Sequence, residues 1–416
     1  MFKVMVLLNS EVPLTQGDMY EFRLDAFPSI ELDQIKTLMK GRRVIFTYPG
    51  ASENMIRSLL DLEPEYIDLD YRTPLPFVAE VRKRCKVICS YHNFHETPLD
   101  LEKLPLFEAD EQKVATMAHS TLDALRMLHY VKGKSHFTGI CMGEEGKITR
   151  QLAPLIGSTF NFIPVGAPSA PGQLSLQELY PCNRDTQIYG LIGDPVTFSP
   201  SHYTHNQVFK AFNLNSIYVK MSVKEGELKS FFELIDTLPF QGLSVTIPHK
   251  EKVLPGAIVN TLKKIKGEWQ GRNTDGIGAI QAIEKRMPIQ GKELLFIGAG
   301  GAAKGVMQEA SQRGARVKFY NRSIQKNEFR QIFDREPYDI LINTTPVYEE
   351  IPINPHWIEE GKLVFDMITL PRETALIHYA KKKGCPVIYG EEMFVYQAAE
   401  QFKWWFDGAL DEDKVI

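Results

Sequence analysis

The chain has 416 residues, 44% apolar and 24% charged, with a net charge of −4. That length exceeds one ordinary hydrophobic core and predicts two or three domains, and the mild charge argues against nucleic acid or an anionic membrane as partner. No apolar run approaches the roughly 18 to 20 residues needed to span a bilayer. The five cysteines, Cys85, Cys89, Cys141, Cys182 and Cys385, form no C-x-x-C pair. That fits a reducing, cytoplasmic setting without zinc or a disulfide framework. The opening FKVMVLL is too short for a signal sequence and reads as a first strand.

The first 165 residues carry eight β-rich runs, at 2–8, 20–27, 42–48, 66–72, 86–93, 112–118, 137–143 and 159–165. Stretches with helical spacing of apolar residues lie between them, such as ELDQIKTLMK, PFVAEVRKRC and STLDALRMLHYVK. Eight strands alternating with helices predict an α/β architecture beginning with a small (β/α)8 barrel, in which some connections are trimmed. The pattern resets around LYPCNRDTQ (179–187), so the barrel domain is placed at 1–182. A second α/β unit is expected at 187–286 and a third at 287–390, with a closing helix in 391–416 packing back on the second. That helix, EEMFVYQAAEQFKWWFDG, presents Met393, Val395, Phe402 and Trp405 on its apolar face.

In FIGAGGAAKG, Gly298, Gly300 and Gly301 follow a strand and open a helix, with Ala303 in the last small position. This G-x-G-x-x-A turn, in strand–turn–helix–strand context, predicts a Rossmann dinucleotide site. The next strand ends in YNRS, with Asn321 and Arg322 where an NAD site carries an acid. A guanidinium favours a 2′-phosphate, so NADP is expected. The other reading is a tight βα turn with no cofactor.

Two residues of the first domain suit imine chemistry. Lys113 begins the sixth strand ahead of apolar residues, as an inward, partly desolvated amine would. His92, in SYHNFHETP, ends the fifth strand, on the face where barrel enzymes place their chemistry. A metal reading of His92 with His95 lacks further ligands nearby. Taken singly, each position is more often bland, a surface lysine or a satisfied histidine at a strand end.

The motifs EFRLD (21–25), SYHNFH (90–95), Lys113 in KVATMAHST, GICMGEEGKITR (139–150) and SAPGQLSL (169–176) resemble type I 3-dehydroquinate dehydratase across the first domain. The second half resembles shikimate dehydrogenase through GDPVTFSPSHYTHN (193–206), LSVTIPHK (243–250), VNT (259–261), GRNTDGIG (271–278), the glycine turn, YNRS and MFVYQAA (393–399). Together the chain resembles the bifunctional dehydratase–dehydrogenase fusions of the shikimate pathway.

The resemblance implies that Lys113 forms an imine with 3-dehydroquinate and that His92 shuttles the proton, with Glu53 orienting it. Arg150 with Ser169 and Gln173 would hold the substrate carboxylate, and Glu21 and Arg23 the ring hydroxyls. In the second half it implies a catalytic Lys250–Asp275 pair. Ser199 and Ser201 would take the carboxylate, with Thr246, Asn260 and Gln397 on the hydroxyls. NADPH would be held by Gly298, Ala299, Gly300, Gly301, Ala302, Asn321, Arg322, Ser323 and Gly390, in a cleft between domains and without a metal. His95 would be structural, and His202 and His205 would pack a helix.

The chain departs from the family pattern in five places. Pro49 stands where an arginine is common, SPSH carries Pro200 and His202, and Thr369 replaces a tyrosine. The segments HKEKVLPGAIVNT and 323–339 are shorter than in relatives. These departures leave two alternatives, a quinate-type dehydrogenase running in the oxidising direction, or a retired enzyme that senses ligand.

Overall fold

The computed structural model describes residues 1–9, 17–27, 32–197, 199–323 and 329–409. The chain divides into two compact units, Met1–Phe240 and Gln241–Ile416.

In the first unit eight parallel strands follow one another around a sheet. They are β1 (Phe2–Leu7), β2 (Met19–Arg23), β3 (Val44–Thr47), β4 (Tyr66–Asp70), β5 (Lys86–Asn93), β6 (Glu111–Met117), β7 (Phe137–Met142) and β8 (Phe160–Pro164). Their order is β7-β6-β5-β4-β3-β2-β1-β8. The remaining seam is drawn together where Thr159 N donates to Phe137 O at 2.9 Å and Phe160 N to Thr138 Oγ1 at 3.0 Å. Each of the eight β-rich runs overlaps one of these strands, with β2 and β6 beginning one residue earlier than their runs.

Strand alternation sorts side chains between two cores. Val4, Val6, Ile45, Tyr66, Ile88 and Phe162 fill the barrel interior. Met5, Leu7, Phe46, Ile67 and Leu69 face outward onto the helices. The helices of the barrel are α1 (Leu32–Met39), α2 (Glu53–Leu60) and α3 (Leu75–Val81), which share that outer core, and α4 (Thr121–Val131), α5 (Lys147–Gln151) and α6 (Ala153–Ile156). Ser52 caps α2, and Ser120 with Asp123 makes a capping box on α4. The trimming is visible between β5 and β6, where the regular structure is one 3₁₀ turn, Leu101–Lys103.

The unit continues with β9 (Gln187–Gly193), α7 (Ser201–Ala211), β10 (Ser216–Ser222) and α8 (Leu228–Ile235), with β9 and β10 paired in parallel. Hydrogen bonds from α4 tie this segment to the barrel. Thr121 Oγ1 donates to Ser222 O at 2.6 Å, and the His129 ring nitrogen lies 2.6 Å from Leu234 O.

The second unit opens with β11 (Phe240–Val245), β12 (Thr261–Ile265) and β13 (Glu268–Arg272), an antiparallel meander. Helix α9 (Thr274–Glu284) follows, capped by Asn273. Then comes a six-stranded parallel sheet of β14 (Glu293–Ile297), β15 (Arg316–Tyr320), β16 (Arg330–Ile332), β17 (Ile340–Asn343), β18 (Leu363–Asp366) and β19 (Val387–Ile388). Its order, β16-β15-β14-β17-β18-β19, reverses direction between β14 and β17. Ligands of open α/β sheets bind at such a reversal. Helices α10 (Gly301–Gln312) and α11 (Ala375–Lys382) accompany the sheet, and α12 (Gly390–Trp405) closes the chain against α9. Met393, Phe402 and Trp405 of α12 are buried as expected, whereas Val395 is half-exposed. Among the described residues no helix is long and apolar enough to cross a membrane.

Candidate active sites

The barrel interior holds a buried lysine among acids. Lys113, on β6, donates from Nζ to Asp68 Oδ2 at 2.7 Å and lies 3.7 Å from Glu21 Oε1. Its ammonium also sits 4.5 Å from the centre of the Phe162 ring. Glu21 is fixed in turn by Thr47 Oγ1, which donates at 2.7 Å. Burial alone would lower the Lys113 pKa, but the Asp68 and Glu21 carboxylates outweigh it and raise it. Asp68 answers in kind: burial opposes its ionisation, yet Lys113 and His92 hold it below the usual carboxylate range.

His92 is on β5, next to β6. Burial, reinforced by Lys113, pushes its imidazole down to about 4 against the pull of Asp68. The ring is therefore neutral near pH 7 and able to accept a proton. His95, three residues further, is exposed, and its backbone N–H is capped by Asn93 Oδ1 at 2.9 Å. Among the described residues no group of three or more His, Cys, Asp or Glu is placed to hold a metal ion.

Arg150 is buried on α5, its Nε has no hydrogen-bond partner, and burial lowers its pKa to about 10. A buried cation in that condition calls for an anion. Gln173 Oε1 accepts from Ser169 N at 2.6 Å and Ser169 Oγ at 3.1 Å, folding its loop into a compact turn. Arg23, at the end of β2, is held by Asp25 at 2.8 Å.

Glu53 does not reach His92. It is the first residue of α2, exposed, and paired with Arg57 at 3.1 Å, because its position on the outer helix turns it to solvent. The carboxylates whose fields act on His92 are Asp68 and Asp70, both on β4. The alternation of β4 carries the signal for them, since Tyr66 packs in the barrel interior and residues 68 and 70 share its face. Pro49, Arg72 and His92 line one cavity of about 310 Å³ at this end of the barrel.

In the second unit Lys250 and Asp275 form a short ion pair. Asn260 Nδ2 donates to Asp275 Oδ1 at 2.8 Å and to Thr274 Oγ1 at 3.0 Å. The Gln397 side-chain oxygen is 3.4 Å from both Asn260 Nδ2 and Thr274 Oγ1. Thr274, which the motif reading passed over, thus sits at the centre of the network. The short segment after Lys250 forms turns, and Val259 N donates to Lys250 O at 2.8 Å across its neck. Thr246 is half-buried just beyond β11. Ser199 and Ser201 belong to the first unit, their hydroxyls 2.9 Å apart at the start of α7. His205 is buried there beside the Tyr218 ring, at 4.2 Å.

The glycine turn meets the demands of a dinucleotide. Gly298 has φ +102°, and a Cβ there would lie 2.7 Å from Thr344 Oγ1, so no other residue fits. A Cβ on Gly300 would meet nothing within 4 Å, which leaves open space before α10. No side chain caps that helix, so its first N–H groups are free for a phosphate. A cavity of about 240 Å³ is bordered by Gly298, Tyr320, Asn321, Arg322 and Thr345, with Glu350 on its rim. Asn321 Nδ2 donates to Ser323 O at 3.1 Å and shapes the turn. Ala299 and Ala302 are half-buried in the turn. Gly390 is packed at the start of α12, where a Cβ would fall 2.4 Å from Ile368 O. A Cβ on Gly301 would lie 3.9 Å from Lys250 Cβ, so the turn adjoins the Lys250–Asp275 pair.

Residues 8–184 match the family model of type I 3-dehydroquinase. Residues 191–265 match the shikimate dehydrogenase substrate-binding domain, and 390–414 the shikimate 5′-dehydrogenase C-terminal domain. A chloroplastic bifunctional 3-dehydroquinate dehydratase/shikimate dehydrogenase of Arabidopsis thaliana is 32% identical, over 96% of this chain and 79% of its own. The shikimate biosynthesis protein AroDE of Chlamydia pneumoniae is 31% identical, over 94% and 91%. A solved shikimate dehydrogenase in complex with NADP+ superposes with a TM-score of 0.52 at 32% identity, covering 56% of this chain and 95% of that one.

Proposed function

The chain belongs to the bifunctional 3-dehydroquinate dehydratase/shikimate dehydrogenase family, and we propose that Lys113 with His92 performs its dehydration and Lys250 with Asp275 its reduction. The protein is a lyase and an NADP-dependent oxidoreductase of the shikimate pathway. The observation that carries the residue assignment is the buried Lys113 amine, ion-paired to Asp68 in the same barrel interior as a neutral His92.

The first reaction begins when the Lys113 amine, its proton passed to a neighbouring carboxylate, attacks the substrate ketone. Water leaves, and the imine acidifies the adjacent carbon by drawing off its electrons. Neutral His92 removes that proton, then gives it to the departing hydroxyl, which leaves as water and forms the ring double bond. Hydrolysis of the imine returns Lys113 and releases 3-dehydroshikimate. Arg150 holds the carboxylate throughout, near Ser169 and Gln173. Glu21, oriented by Thr47, and Arg23 bind hydroxyls, while Asp68 and Asp70 take the place expected of Glu53.

In the second reaction bound NADPH supplies a hydride to the carbonyl carbon. Gly298, Gly300, Gly301, Asn321 and Arg322 would hold that cofactor. Lys250 protonates the developing alkoxide, and Asp275 keeps its ammonium oriented. Asn260 and Gln397 place the hydroxyls, and Ser199 and Ser201 bind the carboxylate. A cytoplasmic setting and small-molecule substrates are in keeping with this chemistry.

The test is one cuvette holding the purified chain, 3-dehydroquinate and NADPH. Oxidation of NADPH requires both steps in turn. Borohydride added with 3-dehydroquinate traps the imine on Lys113, and Lys113→Ala abolishes that adduct. An adduct on another residue overturns the lysine assignment.

A further inference from the structure

We propose that the first unit carries another ligand site, for a small ring-bearing carboxylate, in the cavity between the β7–α5 corner of the barrel and the α7–β10 face. The cavity measures about 630 Å³, within the range of small-molecule sites.

Its polar lining asks for an anion. Lys220 Nζ donates to Thr197 O at 2.7 Å, and no carboxylate pairs with it among the described residues. Lys147 faces the same space, paired with Glu144 at 2.7 Å. His202 presents a buried Nδ1 with no hydrogen-bond partner of ordinary geometry, the Ser199 backbone being the polar group that acts on its ring. The other acid in the wall, Glu178, accepts from Ser175 N and Oγ at 2.9 and 2.8 Å and is already committed. Burial lowers the pKa of Lys220 and of His202, with Lys147 reinforcing the effect on both and Glu144 opposing it. A bound anion would relieve that penalty.

The remaining lining suits a ring. Ile148 and Leu174 form a buried apolar floor, and Tyr203, 59% exposed, stands at the side. Such walls bury a flat face while the cations take its charged end.

The position gives the site consequences. Gln151, Leu174 and His202 line the cavity and directly follow Arg150, Gln173 and Ser201. These three are among the carboxylate-binding residues assigned to the two reactions. The loop carrying Gln173 is also pinned to the barrel, with Gly143 N donating to Pro171 O at 3.2 Å. An occupant would therefore press on segments serving both chemistries; this coupling rests on the residue roles proposed above, whereas the binding itself does not.

Isothermal titration of the full chain with benzoate tests the site, with benzylamine as the charge-reversed control and inorganic phosphate as the ringless anion. Benzoate is expected to bind the native chain and to weaken at least tenfold with Lys220→Met and with Tyr203→Glu, the latter at an exposed position that the fold tolerates. Benzylamine should not bind, and phosphate should bind more weakly than benzoate. Equal benzoate affinity for the native chain and the variants, absence of benzoate binding, or phosphate binding as tightly as benzoate would each overturn the proposal. Heat of binding is read without turnover, so failure of the catalytic assignments would leave the outcome legible.

Discussion

Lys113 Nζ and Asp68 Oδ2 lie 2.7 Å apart inside the barrel, and both side chains are almost wholly shielded from solvent. At rest the nucleophile is thus a protonated amine, stabilised by the partner that could accept its proton. Lys113 has a raised pKa, so its share of the pair's stability is full below the unfolded lysine value and lost as pH rises through the folded one. Asp68 has a lowered pKa, so its share is present above the unfolded carboxylate value and lost as pH falls through the folded one. Asp68→Asn leaves only the more distant Glu21 carboxylate to offset the burial of Lys113. Stability at pH 7 should fall by about 3 kcal/mol, and the pH profile of borohydride trapping should move to the acid side by about one unit or more. An unmoved profile would exclude Asp68 as the group that governs the amine.

Glu111 lies two residues before Lys113 on the same strand and is fully buried. The nearest ring nitrogen, His136 Nδ1, is 3.7 Å away, and neither carboxylate oxygen has a partner of ordinary geometry. Burial pushes the group from 4.5 up to about 7, with Thr159 opposing. The folded form therefore prefers the neutral acid. Its contribution is full below about pH 4.5 and is lost as pH rises to about 7, some 3 kcal/mol in all. Melting temperatures of the native chain should drop across that window, while Glu111→Gln should flatten the slope. Parallel slopes in the two proteins would show that the carboxylate stays ionised.

Arg322 is exposed at the end of β15, on the border of the cavity beside the glycine turn. Arg322→Ala should raise KM for NADPH by about tenfold or more, the worth of a charge-assisted contact to phosphate, and leave KM for NADH within about twofold. Equal losses with both cofactors would remove the 2′-phosphate from its role.

Gly278 of α9 supports Gln397 of α12, for a Cβ there would lie 2.5 Å from Gln397 N and 2.9 Å from its Cα. Gly278→Ala must push the helices apart, at a cost of about 1–3 kcal/mol. Dehydrogenase activity should fall at least tenfold with dehydratase activity unchanged, since Lys113 and His92 lie in the other unit. Activity assays of both steps on one preparation give the answer directly.

Much of this was legible in the chain. Every barrel strand overlaps a β-rich run, because inward and outward positions of a barrel are both apolar and period-two spacing survives short connections. The glycine turn stood out because Gly298 occupies a conformation that excludes a side chain. The interior acids did not stand out. Asp68 and Asp70 read as ordinary polar residues until Tyr66 is known to face inward, and no local pattern says which face of β4 does. Glu53 was misplaced for the complementary reason. An acid at the start of a helix looks the same whether that end meets the barrel mouth or meets Arg57 in solvent. The hub role of Thr274 was equally hidden, since it depends on Asn260 and Gln397, the latter 123 residues away along the chain.

The hydrogen bond from Val259 N to Lys250 O spans the neck of the shortened loop. It fixes the peptide of the reactive lysine to the segment that carries Asn260, whatever the intervening residues do. Chain length there is consequently uncoupled from catalytic geometry, and the exposed tip at Pro255, Gly256 and Ala257 is a place where the polypeptide can be edited. A peptide tag or reporter spliced in at Gly256 would ride outside the neck, leaving the ammonium and its carboxylate where they are.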